Sequence, residues 1–252
     1  MRGTIEGWGE VESSADWVRD KLATFDTRTR VLVLQHPQEQ DHAVSSAALL
    51  LASLPKAELR VGLSWPSFGH CLGDLQADPG RWVCLYPSSL KRPLTPAELQ
   101  QPVVLLDRQG EALRPGERIE GVVVLDGTWS QAKTLWWRNP WLLKLGRAVL
   151  HPTEPGIYGK LRKEPRREAV STLESVADVL VANGEPEALR EHLRRLFRTM
   201  VQRARDARQK AEAAHAARPR AAPRAGPTAG PMAEDPPGEA SEEAPGDKPG
   251  EG

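Results

Sequence analysis

Asp126 stands at the end of the apolar run Val122-Val123-Val124-Leu125 and is followed by Gly127-Thr128-Trp129. A carboxylate in that position can accept a proton or bind an ammonium group. Gly127 permits a tight turn or the close approach of a ligand to the backbone. Thr128 suits the cap of a following helix, and Trp129 offers a flat face for stacking on a base or for packing under the loop. By itself the tetrapeptide also reads as a plain turn after a strand, because Asp and Gly are turn formers. Other reactive or polar groups recur in order along the chain. Gln35-His36-Pro37, with Glu39 just beyond, follows the apolar run 31–34, and Leu85-Tyr86-Pro87 ends another run. Ser130-Gln131-Ala132-Lys133 and Asn139-Pro140 lie downstream of Asp126, and Leu161-Arg162-Lys163-Glu164-Pro165 leads to Ser171-Thr172-Leu173-Glu174.

These groups need a scaffold that brings strand ends together. Short continuous apolar runs at 31–34, 59–63, 81–86, 103–107, 121–125 and 147–150 predict strands, several of them buried on both faces. Residues 45–54, 130–137 and 171–183 predict helices, the first stopped by Pro55 and the last capped by Ser171 or Thr172 and stopped by Gly184. Residues 186–216 predict a closing helix with Leu189, Leu193, Leu196, Phe197, Met200, Val201 and Ala204 on one stripe. Its other face carries many arginines, readable as a solvated face or as an RNA-binding surface. Strands alternating with helices argue for an α/β domain with a mainly parallel sheet. In such sheets ligands gather at the carboxyl ends of the strands, where Asp126 and Gln35 fall. Three segments are expected: an N-terminal helical extension over 1–29, with an amphipathic helix at 13–22; a folded body over 30–216; and a tail over 217–252. The tail is rich in Ala, Pro, Gly and Glu and poor in large apolar residues, which predicts disorder.

The chain has 252 residues, 39% apolar and 27% charged, the balance of a globular protein with a sizeable core. No run approaches the roughly 20 apolar residues that span a bilayer, and a charged-then-apolar leader is lacking, so a cytoplasmic protein without membrane contact is expected. Cys71 and Cys84 are too few for a disulfide framework or a complete zinc site. The net charge of zero hides an asymmetry. The last twenty residues hold seven acids and one Lys, which leaves 33 Lys+Arg against 27 Asp+Glu before them. A mildly basic body is compatible with a polyanionic partner. Trp136, Trp137 and Trp141 read as core and helix-end packing.

The ordered set around Asp126, running from Gln35-His36-Pro37 to Ser171-Thr172-Leu173-Glu174, resembles the DTW-domain family over about residues 30–200. That resemblance implies a SPOUT-like sheet with helices on both faces and a C-terminal knot. It implies transfer of the 3-amino-3-carboxypropyl group of S-adenosylmethionine to N3 of a uridine in tRNA or another structured RNA, with release of methylthioadenosine. Under it, Asp126, Thr128 and Trp129 are the expected catalytic residues, with Asp126 as general base or as ligand of the cofactor's ammonium. Gln35, His36, Pro37, Leu125, Gly127, Ser171 and Thr172 are the expected cofactor contacts. Lys133 with Lys160, Arg162, Lys163, Arg166 and Arg167 is expected on the RNA, the last five forming a phosphate-contacting loop. His36 also reads as a structural histidine, and the loop as a solvated one. A SPOUT-type RNA methyltransferase and a non-catalytic RNA-binding protein of this family are the alternatives. Many relatives carry a Cys-rich N-terminal segment that resembles a zinc knuckle; residues 1–29 hold no Cys, so no metal is expected. A monomer or weak dimer is expected.

Overall fold

The structure is a computed structural model, and it describes residues 3–5, 8–11, 16–39, 45–86, 90–151, 157 and 171–216. Of the helix expected at 13–22, the described residues show the 3-10 segment Asp16–Lys21, and two short strands precede it. Strand β1 (Gly3–Ile5) pairs antiparallel with β2 (Trp8–Val11), and the only helical turn among the described residues before 30 is the 3-10 segment Asp16–Lys21. The β-branched and aromatic residues of that stretch favour extended backbone. Val18, in the 3-10 segment, is fully buried, and Leu22 and Phe25 pack on the core beside it.

The body alternates as the sequence predicts. In order come β3 (Arg30–Gln35), α1 (Ser46–Ser53), β4 (Ala57–Val61), α2 (Phe68–Leu72), β5 (Trp82–Leu85), α3 (Pro96–Leu99) and β6 (Val103–Leu106). They are followed by β7 (Gly121–Asp126), α4 (Trp129–Arg138), β8 (Gly146–Leu150), α5 (Thr172–Ala182) and α6 (Glu187–Ala216). Six strands form one sheet in the order β4-β3-β7-β5-β8-β6, parallel throughout except for the β8–β6 pair. The path of residues 158–170, on which the expected knot depends, lies outside the described residues, as do Lys160, Arg162, Lys163, Arg166, Arg167 and the tail 217–252.

Side-chain alternation splits the core into two layers. Val31 and Val33 of β3 and Val122 and Val124 of β7 join Leu49 and Leu50 of α1, Leu173, Val176 and Leu180 of α5, and Leu193 and Phe197 of α6. Leu32, Leu34, Val123 and Leu125, on the opposite face, join Phe68 and Leu72 of α2, Ala132 and Leu135 of α4, and Trp141 and Leu142. Helices therefore cover both faces of a sheet whose central strands β3 and β7 are apolar at every position between their end residues. Both cysteines are buried, Cys71 and Cys84, and burial pushes each thiol up to about 12.

Helix α5 is fixed along its whole length. Its 11 residues are too few to be stable alone. Leu173, Val176, Val179 and Leu180 are all fully buried, and each contributes about 1.5–3 kcal/mol by its removal from water. At its far end, Asn183 Nδ2 donates to Thr29 Oγ1 (2.8 Å) and to the Ile119 carbonyl (3.0 Å), and its Oδ1 accepts from the Ile119 N–H (3.0 Å). Glu185 Oε1 accepts from the N–H groups of Arg28 and Thr29 and from Thr29 Oγ1 at 2.7–2.9 Å. These bonds tie the α5–α6 link to the amino ends of β3 and β7. The opposite end of α5 reaches the carboxyl ends of the same two strands.

Candidate active site

Parallel registry sets the first contact. β3 and β7 are neighbours, and Gln35 lies directly across from Asp126. The Gln35 side-chain amide donates to Asp126 Oδ2 at 2.9 Å. The chain then turns, and the His36 N–H donates to the Asp126 carbonyl at 3.1 Å. Thr172, the first residue of α5, donates its hydroxyl to Asp126 Oδ1 at 2.9 Å. Among the described residues each carboxylate oxygen accepts one side-chain hydrogen bond, which leaves a further lone pair on each. Asp126 and Gln35 are only 6% and 5% exposed, and the carboxylate's plane is fixed by the buried Gln35 amide and the half-buried Thr172 hydroxyl. Three segments far apart in sequence meet at this one side chain.

Two helix amino termini open on the same rim. Thr128 caps α4: its hydroxyl accepts from the Gln131 N–H, and its own N–H donates to Gln131 Oε1 at 2.6 Å. Ser171 caps α5 in the same reciprocal way through Glu174, whose carboxylate accepts from the Ser171 N–H and hydroxyl. Glu174 is itself buried and also accepts from the Ile157 N–H at 3.3 Å. Helix amino termini carry partial positive charge and unpaired N–H groups, so the rim favours an anionic group. Gly127 joins β7 to the cap with φ of +155°. A Cβ there would lie 2.9 Å from Gln131 Cβ and 3.5 Å from His36 Cβ, so a side chain would crowd the turn between the two strand ends.

The expected site residues sort by position. Gln35, Asp126 and Thr172 form a hydrogen-bonded trio, and His36, half-buried, flanks Gly127. The His36 ring accepts from the Gln38 N–H at 3.3 Å through Nδ1, and Pro37 opens the 3-10 turn Pro37–Glu39. Leu125 is buried under α4. Ser171 and Thr128 spend their hydroxyls on helix caps, whereas Trp129 and Lys133 lie on the outside of α4. Trp141 is buried as expected, but Trp137 is 72% exposed. The packing expected for Trp137 fails because the inner face of α4 is taken by Ala132 and Leu135, and Trp137 falls on the outer side.

Sequence reasoning missed a second feature of the rim. Tyr86, just past β5, stacks on Trp136 with ring centroids 4.9 Å apart and planes at 21°. The Arg147 guanidinium lies over the same indole, 4.7 Å from its centroid. Burial raises the Tyr86 phenol above its ordinary range. Arg147 Nη1 donates to the carbonyls of Leu142, Leu145 and Gly146 at 2.9–3.1 Å. The Leu85-Tyr86-Pro87 segment carried a hint of this, but no sequence spacing links it to Trp136 and Arg147.

Comparison with known proteins gives consistent matches. Residues 14–205 match the DTW domain family. The chain is 27% identical over 170 residues to the tRNA-uridine aminocarboxypropyltransferase 2 of Mus musculus, covering 66% of this chain and 52% of that protein. It is 29% identical over 177 residues to the Drosophila melanogaster protein of the same name, covering 68% and 63%. The Macaca fascicularis counterpart is 26% identical over 159 residues, covering 60% and 47%. The chain therefore spans about half to three-fifths of the length of these relatives. No solved structure matches it.

Proposed function

The chain belongs to the DTW domain family, and from that premise we propose that it is a transferase that places the 3-amino-3-carboxypropyl group of S-adenosylmethionine on N3 of a uridine in tRNA. The observation that carries this reading is the meeting of Gln35, Asp126 and Thr172 at the carboxyl rim of the sheet. The relatives are named for aminocarboxypropyl transfer to a tRNA uridine.

The residues suit the two demands of the reaction. N3 of uracil must lose its proton before its electron pair can form the new bond to carbon. Asp126 has an oxygen lone pair available on each side and is fixed in orientation, as a general base must be. S-adenosylmethionine supplies the electrophilic carbon, and its C–S electron pair stays on sulfur in methylthioadenosine. Its amino acid end carries an ammonium and a carboxylate. The amino termini of α4 and α5 offer N–H groups and partial positive charge for that carboxylate. Gly127 lets the turn beside Asp126 pack tightly against Gln131 and His36, which holds the rim in one shape. Which carbon reacts is decided by orientation, so a fixed rim matters more than a reactive group.

The test is incubation of the full chain with S-adenosylmethionine labelled in the aminocarboxypropyl chain and unmodified tRNA. Label entering tRNA with stoichiometric methylthioadenosine supports the transfer. Label absent from tRNA, with a methyl mass shift on the nucleoside instead, replaces it by methyl transfer. Neither modification in a chain that binds tRNA reduces the protein to an RNA-binding role.

A further inference from the structure

Helix α4 leaves the candidate site and carries three side chains outward at a spacing of four residues: Trp129, Lys133 and Trp137. Four residues advance a helix by about 6 Å and turn it by about 40° beyond a full turn, so the three form a shallow stripe roughly 12 Å long. Trp129 is 45% exposed and Trp137 is 72% exposed. Among the described residues no ring stacks on either indole, whereas half-buried Trp136 has both Tyr86 and Arg147 against its ring. Single exposed apolar residues are ordinary, but two tryptophans on one face flanking a lysine are not explained by packing. Charge narrows the occupant. The ten residues of α4 include Lys133 and Arg138, both exposed, and no acid. Indole faces take bases of any identity, and a lysine between them faces the phosphate that links consecutive nucleotides.

We propose that Trp129, Lys133 and Trp137 form a platform on which unpaired bases of the RNA substrate stack, beginning beside Asp126 and running outward along α4. This inference rests on the RNA-modifying reading above and adds where the strand lies. Because Trp129 immediately follows the Asp126-Gly127-Thr128 turn, a base on Trp129 neighbours the one presented to Asp126. The platform recognises unpaired nucleotides and ignores their sequence.

The test measures the affinity of the full chain for an unmodified tRNA transcript, a single-stranded oligouridylate and a blunt RNA duplex, by fluorescence anisotropy at several salt concentrations. Trp137→Ala weakens binding of the oligouridylate and of tRNA by about tenfold, the scale of one lost base–aromatic stack. Trp137→Phe, which keeps an aromatic face, restores most of it. Lys133→Ala lowers the salt slope on the single strand by roughly 0.7, the share of one phosphate contact. Duplex binding is the same in all variants. Circular dichroism and melting of Trp137→Ala match the wild type, since the side chain is exposed. Unchanged single-strand affinity in both Trp137→Ala and Lys133→Ala overturns the platform. So does self-association of the wild type that Trp137→Ala abolishes without altering RNA affinity, which assigns the stripe to a second copy. If the wild type modifies tRNA while these variants bind normally, the platform alone is lost. If the wild type binds no RNA, the RNA-modifying reading falls and the platform with it.

Discussion

Asp126 is held from two sides, and the two supports have separable consequences. Asp126→Asn keeps the shape but replaces one acceptor oxygen by an NH2 group that confronts Gln35 or Thr172. Turnover is expected to fall by about 10²-fold or more, the range for loss of a general base, with S-adenosylmethionine affinity retained. Rapid-quench turnover alongside calorimetric binding checks this, and a parallel loss of affinity would make Asp126 a ligand of the donor's ammonium instead. Thr172→Val removes the hydroxyl that donates to Oδ1 while preserving volume. It is expected to cost about 1–3 kcal/mol, the penalty for an unsatisfied buried polar group, read from urea unfolding midpoints. Thr172→Ser, which keeps the donor, recovers both stability and turnover. The sequence exposed Asp126, Gln35 and Thr172 as members of an ordered set, but not their mutual bonds. Contact between residues 91 and 46 positions apart depends on strand order and registry, which local spacing does not encode.

Elements were legible where one physical signal dominated. The apolar runs at 31–34 and 121–125 fall within β3 and β7 because strands covered on both faces must be apolar throughout. Ser171 and Gly184 bracket α5 as a polar cap and a φ-positive stop. The signal failed at the short elements α2 and α3 and at the 3-10 turn Pro140–Lys144, which span too few residues for a period to register. Helix α3 nevertheless has a testable anchor. Thr95 and Glu98 form a reciprocal cap, and Glu98 takes two hydrogen bonds from the Arg92 guanidinium at 2.7 and 2.8 Å. The Arg92 hydrogen bonds, more than any other cause, depress the Glu98 carboxyl from 4.5 to about 2. A carboxyl depressed by folding stabilises the fold above its ordinary value and loses that effect as acid approaches the folded value. The stability advantage of wild type over Glu98→Gln is therefore expected to persist down to about pH 4.5 and to vanish by about pH 2. Urea midpoints across that range provide the check.

At the scale of the whole chain, residues 1–216 form one compact unit, and residues 217–252 lie outside the described residues. The latter hold seven acidic and four basic side chains, which leaves 30 Lys+Arg against 27 Asp+Glu in residues 1–216. A chain ending at Ala216 is expected to melt within about 1 °C of the full chain. It is also expected to bind tRNA more tightly at low salt, with the difference closing as salt is raised. Calorimetric melting and a salt series of binding curves measure the two effects. The last consequence concerns time. Every strand of the described sheet is complete by Leu150, yet the second side-chain support of Asp126 arrives only with Thr172, and the clasp at the other end of α5 only with Asn183 and Glu185. A nascent chain stalled after β8 already carries the six described strands but lacks the Thr172 hydroxyl bonded to Asp126. Closure of that rim by contacts so distant in sequence is a late and slow event in folding. Translation must pass α5 before the rim around Asp126 has all the contacts that orient its carboxylate.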